Sequence, residues 1–290
     1  FERTDFKNPA ARALVHEALG TVDLYMETFG QTIPDALREF FQDHPKMALA
    51  FSGGTDSAYL LYAARACGCH VRAYYAASPF QPAFELEDAK KLAVSLKAEM
   101  TILPLNVLEL SAVRENPSDR CYHCKNAIFS RILEAAEKDG FLEIMDGTNA
   151  SDDAGDRPGM RALRELRVLS PLRICSVTKK ALREYSRNAG LFTWNKPAYA
   201  CLATRVPTGC SIDQEILKKI ERAETGLTRL GFSDFRVWKD PAGQDSWNAK
   251  LQLTESQFSL LAEKRLEVLE LLKPDFSQVL LDLSARSVTI

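Results

Sequence analysis

Met47-Ala48-Leu49-Ala50-Phe51-Ser52-Gly53-Gly54-Thr55-Asp56-Ser57 is the stretch on which the reading of this chain turns. Its first five residues form an apolar run of strand length. Ala58-Tyr59-Leu60-Leu61-Tyr62-Ala63-Ala64, directly after Ser57, has a helical pattern. Two adjacent glycines between them permit positive φ and let backbone N–H groups approach an anion with no Cβ in the way. The helix that starts there turns its unpaired N–H groups and the positive end of its dipole toward the same point. Strand, glycine turn and helix start together make a nest that suits phosphate. A plain βα turn also favours Gly, Ser and Asp. The full hexapeptide in this setting favours phosphate.

The stretch lacks the lysine of a Walker loop and the spaced glycines of a dinucleotide fingerprint. It resembles the PP-loop, S-G-G-x-D-S, of ATP pyrophosphatases. That resemblance implies that Ser52, Gly53, Gly54, Thr55, Asp56 and Ser57 hold the β,γ-pyrophosphate of ATP. A substrate carbonyl or carboxylate would attack the α-phosphate, giving an adenylated substrate and pyrophosphate. Asp56 would help hold Mg²⁺, a hard cation that takes carboxylate and phosphate oxygens.

Strands and helices alternate outward from this stretch. Buried strands are expected at 47–51, 70–76, 100–105 and 143–145. Helices are expected at 10–29, 34–41, 85–97, 121–138 and 178–188. Alternation argues for a parallel sheet covered on both faces, with ligands beyond the carboxyl ends of its strands. The Ser52 loop and the turn Asp146-Gly147-Thr148-Asn149 both fall at such ends. Residues 151–158 read as an acidic loop. After Pro207-Thr208-Gly209 the pattern changes to a helix at 211–230, strands at 234–238 and 248–253, a helix at 254–272 opened by a Thr254/Gln257 capping box, and a strand at 279–283. The expected architecture is α/β: a parallel-sheet PP-loop ATP pyrophosphatase domain, adenine nucleotide alpha hydrolase-like, over 1–207, and a small α+β domain over 208–290.

With 290 residues and 46% hydrophobic content, the chain can bury a large core. Its 37 basic and 39 acidic residues give a net charge of −2, so no strong basic field gathers nucleic acid. No apolar stretch approaches the roughly 20 residues that span a bilayer. No secretory leader is legible at the start. The first residue is Phe rather than Met, which leaves room for an upstream piece. Seven cysteines, an odd number beside a nucleotide motif, favour a reducing cytoplasm and free or metal-bound thiols over a disulfide framework.

Cys121 and Cys124 form Cys-x-x-Cys at a loop-to-helix junction, where Arg120, Lys125 and the helix N-terminus favour thiolates. Cys201 is a third candidate. A redox dithiol, a structural zinc with His123 as a poor fourth ligand, and an iron–sulfur cluster on three thiolates all agree with this spacing, which does not choose among them.

The hexapeptide at Ser52, the block 116–125, Asp146-Gly147-Thr148-Asn149, Arg157-Pro158-Gly159, Trp194-Asn195-Lys196-Pro197 and Cys201-Leu202-Ala203-Thr204-Arg205 occur in this order. Together they resemble the LarE family of PP-loop sulfur transferases, over roughly residues 30–285. The resemblance implies that ATP adenylates the carboxylates of pyridinium-3,5-biscarboxylate mononucleotide and that sulfur replaces the activated oxygens. The product is a precursor of the nickel-pincer cofactor of lactate racemase. One form of the family sacrifices a single cysteine, at the position of Cys201. Members with cysteines matching Cys121 and Cys124 as well resemble enzymes with a [4Fe-4S] cluster whose open iron carries an extra sulfide. This chain has all three cysteines, so the cluster form is expected, with the sacrificial route as the alternative. A tRNA thiolase is a further alternative, and a nucleotide-binding or redox-sensing module without turnover belongs to a different class.

The resemblance also implies roles elsewhere. Arg205 and Arg236 are expected to bind the substrate phosphate. Ser78 and Glu85 would stand near nucleotide and metal. Glu221 and Glu224 read as a solvated helix face, Glu224 being kept as a possible cation ligand. Cys67, Cys69, Cys175 and Cys210 read as packed thiols. His16, His44 and His70 read as structural, and Trp194 as packing. A small mononucleotide is the expected partner, with no nucleic acid and no membrane, in a homo-oligomer.

Overall fold

The structure is a computed structural model and describes residues 32–152, 158–241 and 246–286. The expected helix at 10–29, with His16, lies outside the described residues, as do Arg157 and most of the loop before it.

Helix α1 (Asp35–Asp43) follows Pro34, whose fixed φ suits the position before a first turn, and buries Leu37, Phe40 and Phe41. Strand β1 (Lys46–Ala50) then leads through the glycine turn into α2 (Thr55–Ala66). Next come β2 (His70–Ala77), α3 (Ala83–Ser95) and β3 (Glu99–Pro104). A short α4 (Ser111–Arg114) precedes the long α5 (Arg120–Lys138) and β4 (Ile144–Met145). Helices α6 (Pro158–Glu165) and α7 (Pro171–Ile174) fill a stretch for which no element is expected from the sequence, and α8 (Lys179–Asn188) starts at Thr178, whose hydroxyl accepts from the Ala181 N–H. A 3₁₀ turn at Leu202–Arg205 leads to α9 (Gln214–Arg229), β5 (Arg236–Pro241), β6 (Trp247–Gln252), α10 (Phe258–Glu263), α11 (Arg265–Leu272) and β7 (Val279–Asp282).

The first sheet is parallel throughout, in the order β3-β2-β1-β4. The chain works outward from β1 to β3, then returns to the other side of β1. Strand order therefore reverses between β1 and β4, where a doubly wound sheet opens a crevice at its carboxyl edge. The Ser52 loop and the turn after Met145 flank that reversal. They touch: a Cβ on Gly147 would lie 3.0 Å from the Ser57 nitrogen and 3.3 Å from the Asp56 Cβ. Only a residue without a side chain lets the β4 turn rest on the first turn of α2.

The second sheet pairs β5 with β6 antiparallel and β6 with β7 parallel. Its core takes Leu217, Ile220, Leu227, Val237, Leu251, Val268 and Phe276 from the expected tail. The same cluster includes Phe80, Val107, Val113, Leu202 and Ala203 from the chain before residue 207. Two sheets are present as expected, and this second core straddles the change of sequence pattern.

The single helix expected at 254–272 is broken into a 3₁₀ turn, α10 and α11. The capping box does not form. Gln257 turns away to receive the Ser233 N–H on its Oε1 at 3.1 Å and to donate to the Ser233 carbonyl. Tertiary contact with the end of α9 outweighs a local cap worth about 1 kcal/mol. Among the described residues, no helix is long and apolar enough to cross a membrane.

Candidate active site

Gly53 adopts φ +71°, the left-handed conformation anticipated for the glycine turn. A Cβ there would lie 2.9 Å from the Glu85 carbonyl oxygen, so α3 presses directly on the loop. Ser52 and Ser57 brace the turn through hydroxyls 3.0 Å apart, and the Gly54 N–H donates to the Ser52 Oγ at 3.3 Å. The Thr55 hydroxyl is buried and donates to the Thr193 carbonyl, 138 positions away, at 2.9 Å. These bonds leave the start of α2 facing a cavity of about 320 Å³.

Ser52, Gly54, Thr55, Asp56, Gln81, Glu85, Lys179, Lys196 and Cys201 all line that cavity. Phosphate-type backbone geometry and a thiol from a distant loop thus share one wall. Asp56 accepts from Lys179 Nζ through both carboxylate oxygens at 2.8 Å. Burial pushes the Asp56 carboxyl up, and Lys179 pulls against it. Glu85 is pushed up to about 7 by burial, against opposing pulls from Lys196 and then Arg205. Gly147, Thr148 and Asn149 stand behind the cradle: Thr148 bonds through N–H and hydroxyl to Asp146, which also accepts from the Ser170 hydroxyl at 2.7 Å. Ser78 likewise acts at one remove, its hydroxyl donating at 2.6 Å to Gln81, which lines the cavity.

The stretch around Cys201 and the start of α5 are tied together. Buried Arg120 donates to the Ala203 carbonyl at 2.9 Å and to the Asn116 Oδ1 at 2.6 Å. Its other terminal nitrogen lies 3.8 Å from Cys121 Sγ. Cys121 is exposed, while Cys124 and Cys201 are half-buried. Burial first, then charge repulsion from Cys201 and Cys121, together push the Cys124 thiol up to about 12 against the pull of Arg120. Cys201 is raised by burial as well, with Cys121 adding to it. The three thiols are therefore near enough to influence one another. The expectation that Arg120, Lys125 and the helix N-terminus favour thiolates at the Cys121–Cys124 pair is corrected at Cys124. Apolar cover there outweighs the nearby cations. Among the described residues, no three His, Cys, Asp or Glu side chains are gathered to hold a metal ion. Gly159 explains its own motif: a Cβ would lie 3.0 Å from the Lys125 Cδ, so α6 packs closely along α5.

A second cavity of about 530 Å³ adjoins the first, lined by Phe84, Tyr199, Glu221, Glu224, Phe232 and Arg236 among others. Arg236 is buried, donates to the Phe235 and Ala198 carbonyls at 2.6 and 2.7 Å, and lies 4.0 Å from Asp234. Asp234 pairs more closely with Arg286, at 3.1 Å. Burial, then Arg205 and Arg286, hold the Arg236 guanidinium below its ordinary range. Arg236 thus keeps a charge without a close carboxylate of its own, at the wall of a cavity.

Arg205 and Glu224 stand differently from what their sequence suggests. Arg205 is 0% exposed. It grips Glu224 through Nε and a terminal nitrogen at 2.9 and 3.1 Å, and spends the other on the Ala200 carbonyl at 2.9 Å and the Thr204 hydroxyl at 2.7 Å. Glu224 also accepts from the Val237 N–H at 3.0 Å and from the Tyr199 hydroxyl. Its four acceptor positions are taken. Glu224 is therefore no solvated helix face and has no lone pair free for a cation in this arrangement, while Arg205 anchors the 201–205 turn.

Lys179 escaped the sequence reading. Its signal is a lysine on the first residue of a helix, against the dipole, which a partner acid must compensate. His44 pairs with Glu143 at 3.0 Å and His70 packs on Phe141, as structural histidines do. Cys69 and Cys175 donate to backbone carbonyls, and Cys210 packs against the second core.

No family profile matches the chain. Individual relatives do. It is 35% identical over 202 residues to the uncharacterized protein slr1717 of Synechocystis, covering 69% of this chain and 75% of that one. It is 28% identical over 237 residues to the uncharacterized protein MJ0830 of Methanocaldococcus jannaschii, covering 82% and 88%. It is also 30% identical over 198 residues to the pyridinium-3,5-bisthiocarboxylic acid mononucleotide synthase of Lactiplantibacillus plantarum, covering 68% of this chain and 72% of that protein. With the glycine cradle and Cys201 lining one cavity and the Gly147 turn resting against that cradle, that relationship makes the chain a member of the LarE family, to which the synthase belongs.

Proposed function

We propose that the protein is an ATP-dependent sulfur insertase. It would adenylate the carboxylates of pyridinium-3,5-biscarboxylate mononucleotide and convert them to thiocarboxylates on the way to a nickel-pincer cofactor. One observation carries the reading: Ser52, Gly54, Thr55 and Asp56 share a cavity with Cys201. Activation and sulfur delivery then meet at one place, and proximity replaces a bimolecular encounter.

Ser52, Gly53, Gly54, Thr55 and Ser57 would hold the pyrophosphate portion of ATP, with Asp56 holding Mg²⁺ once it leaves Lys179. Lys179 would then follow the phosphates. A substrate carboxylate oxygen attacks the α-phosphorus, and pyrophosphate leaves with the electron pair of the broken P–O bond. Sulfur then attacks the acyl carbon, and AMP leaves. Arg236, a buried cation without a close carboxylate at the second cavity, suits the mononucleotide phosphate.

Cys121, Cys124 and Cys201 influence one another beside apolar cover and would have to draw closer together to hold a [4Fe-4S] cluster, and binding would displace their protons. When bound, such a cluster supplies the sulfur that replaces the activated oxygen. A second reading rests on a separate observation: Cys201 alone of the three lines the ATP cavity, which suits it as a sacrificial donor.

The test is anaerobic purification with iron and sulfide analysis, then reaction with ATP, Mg²⁺ and the mononucleotide. Substrate-dependent pyrophosphate and a thiocarboxylate product support the proposal, and their absence refutes it. Iron-loaded protein of unchanged mass supports the cluster route. Iron-free protein lighter by one H₂S supports the sacrificial route.

A further inference from the structure

The two cavities share one strip of wall, residues 196–199, and Lys196 is the charged side chain common to both linings. Its Nζ donates to Asp88 Oδ2 at 2.7 Å and sits 5.2 Å from the Phe84 ring centroid. One ammonium donor is thus engaged and two remain. Its backbone is fixed on both sides: the N–H donates to the Thr193 carbonyl at 3.1 Å, and the carbonyl accepts from Arg183 at 3.1 Å. Arg183 lies on α8, the helix that brings Lys179 to Asp56. Two residues on, the Ala198 carbonyl accepts from Arg236 in the second cavity. The strip is therefore pinned to the glycine cradle on one side and to Arg236 on the other.

Two anions have to meet across this strip. On the activation reading the triphosphate would occupy one cavity and the acid would enter from the other, and their mutual repulsion would be strong in a medium of low dielectric. Lys179 lines the first cavity alone, Arg205 is held by Glu224, and Arg236 lies in the second cavity. Lys196 is the cation at the junction.

Resting on the activation reading above, we infer that Lys196 is a catalytic residue of the adenylation step. Its Nζ contacts the incoming carboxylate and the α-phosphate oxygens together. It neutralises the charge that gathers as the carboxylate oxygen bonds to phosphorus and the bond to pyrophosphate breaks. No proton is transferred, and the bonding electron pair leaves with pyrophosphate. Asp88 holds the ammonium in place.

Substrate-dependent pyrophosphate release by K196M, K196R and D88N tests this. K196M should lose about 100-fold in kcat, with the KM for ATP changed by less than about threefold, because the cradle that binds the phosphates is intact. K196R should recover about tenfold of that loss, as a cation at the same place, and D88N should fall between K196M and the native enzyme. Melting temperatures of K196R and D88N report on folding independently. Native kcat in K196M, a loss confined to the KM for ATP, or a K196R no better than K196M would overturn the inference while leaving the activation reading standing. No pyrophosphate release from the native protein would end that reading and the inference with it.

Discussion

Lys179 Nζ lies 2.8 Å from each carboxylate oxygen of Asp56, at the mouth of the glycine turn. The pair leaves the site charge-balanced, and both residues stand on the cavity wall. D56N should therefore lower pyrophosphate release by about 100-fold or more, through the lost cation ligand. K179M should act chiefly on the KM for ATP, and both variants should shift stability by only about 1–2 kcal/mol, because the pair is partly exposed. Steady-state kinetics beside urea titrations separate the two effects; a K179M enzyme with native KM would refute the phosphate role.

Arg205 and Glu224 form the buried counterpart. R205M leaves Glu224 as an uncompensated buried charge, and E224Q does the reverse to Arg205. Each should cost about 3–5 kcal/mol in denaturant unfolding. The double variant R205M/E224L should recover part of that loss, because the desolvated charges go together. A double variant as unstable as the sum of the singles would show that the pair is not coupled.

Gly53 and Gly68 separate backbone conformation from close approach. Both have positive φ, +71° and +78°, but a Cβ at 53 meets the Glu85 carbonyl at 2.9 Å, while nothing lies within 4 Å of one at 68. G68A should cost about 1–2 kcal/mol from conformation alone. G53A should cost more and should also weaken ATP binding, measured by calorimetry. Equal losses at the two positions would refute the tight packing of α3 on the loop.

Glu85 gives a pH signature. Burial raises its carboxyl from 4.5 to about 7 in the folded protein. The folded state thus holds this proton after the unfolded chain has lost it, so the stabilisation is full below pH 4.5 and is lost as pH rises to about 7. Relative to E85Q, the native protein should lose on the order of 2 kcal/mol over that window. Parallel stability curves for the two proteins would refute it.

The hexapeptide and the alternation of strands and helices were legible because their causes are local: glycine conformation, helix dipole and hydrophobic period. The parallel sheet, β1 to β4 and the tail strands follow from them. Glu224 was misread because helical spacing shows which face a residue occupies and says nothing of the arginine that arrives 19 positions away in sequence. Helix 254–272 was misread because Gln257 finds Ser233 rather than its own helix start. Lys179 was missed because Asp56 is 123 positions from it. Each of these depends on what the fold brings opposite a residue, which no local window contains.

The straddling second core sets a limit on how this molecule could be dismantled. Phe80, Val107 and Val113 find their cover in residues that come after position 207, and Leu202 and Ala203, next to Cys201, lie in the same apolar mass. A cut there would strip apolar cover from the first part of the chain and leave the Cys201 loop without its floor. The part before residue 207 and the tail share one core, so any graft that borrows the glycine cradle must carry the tail along.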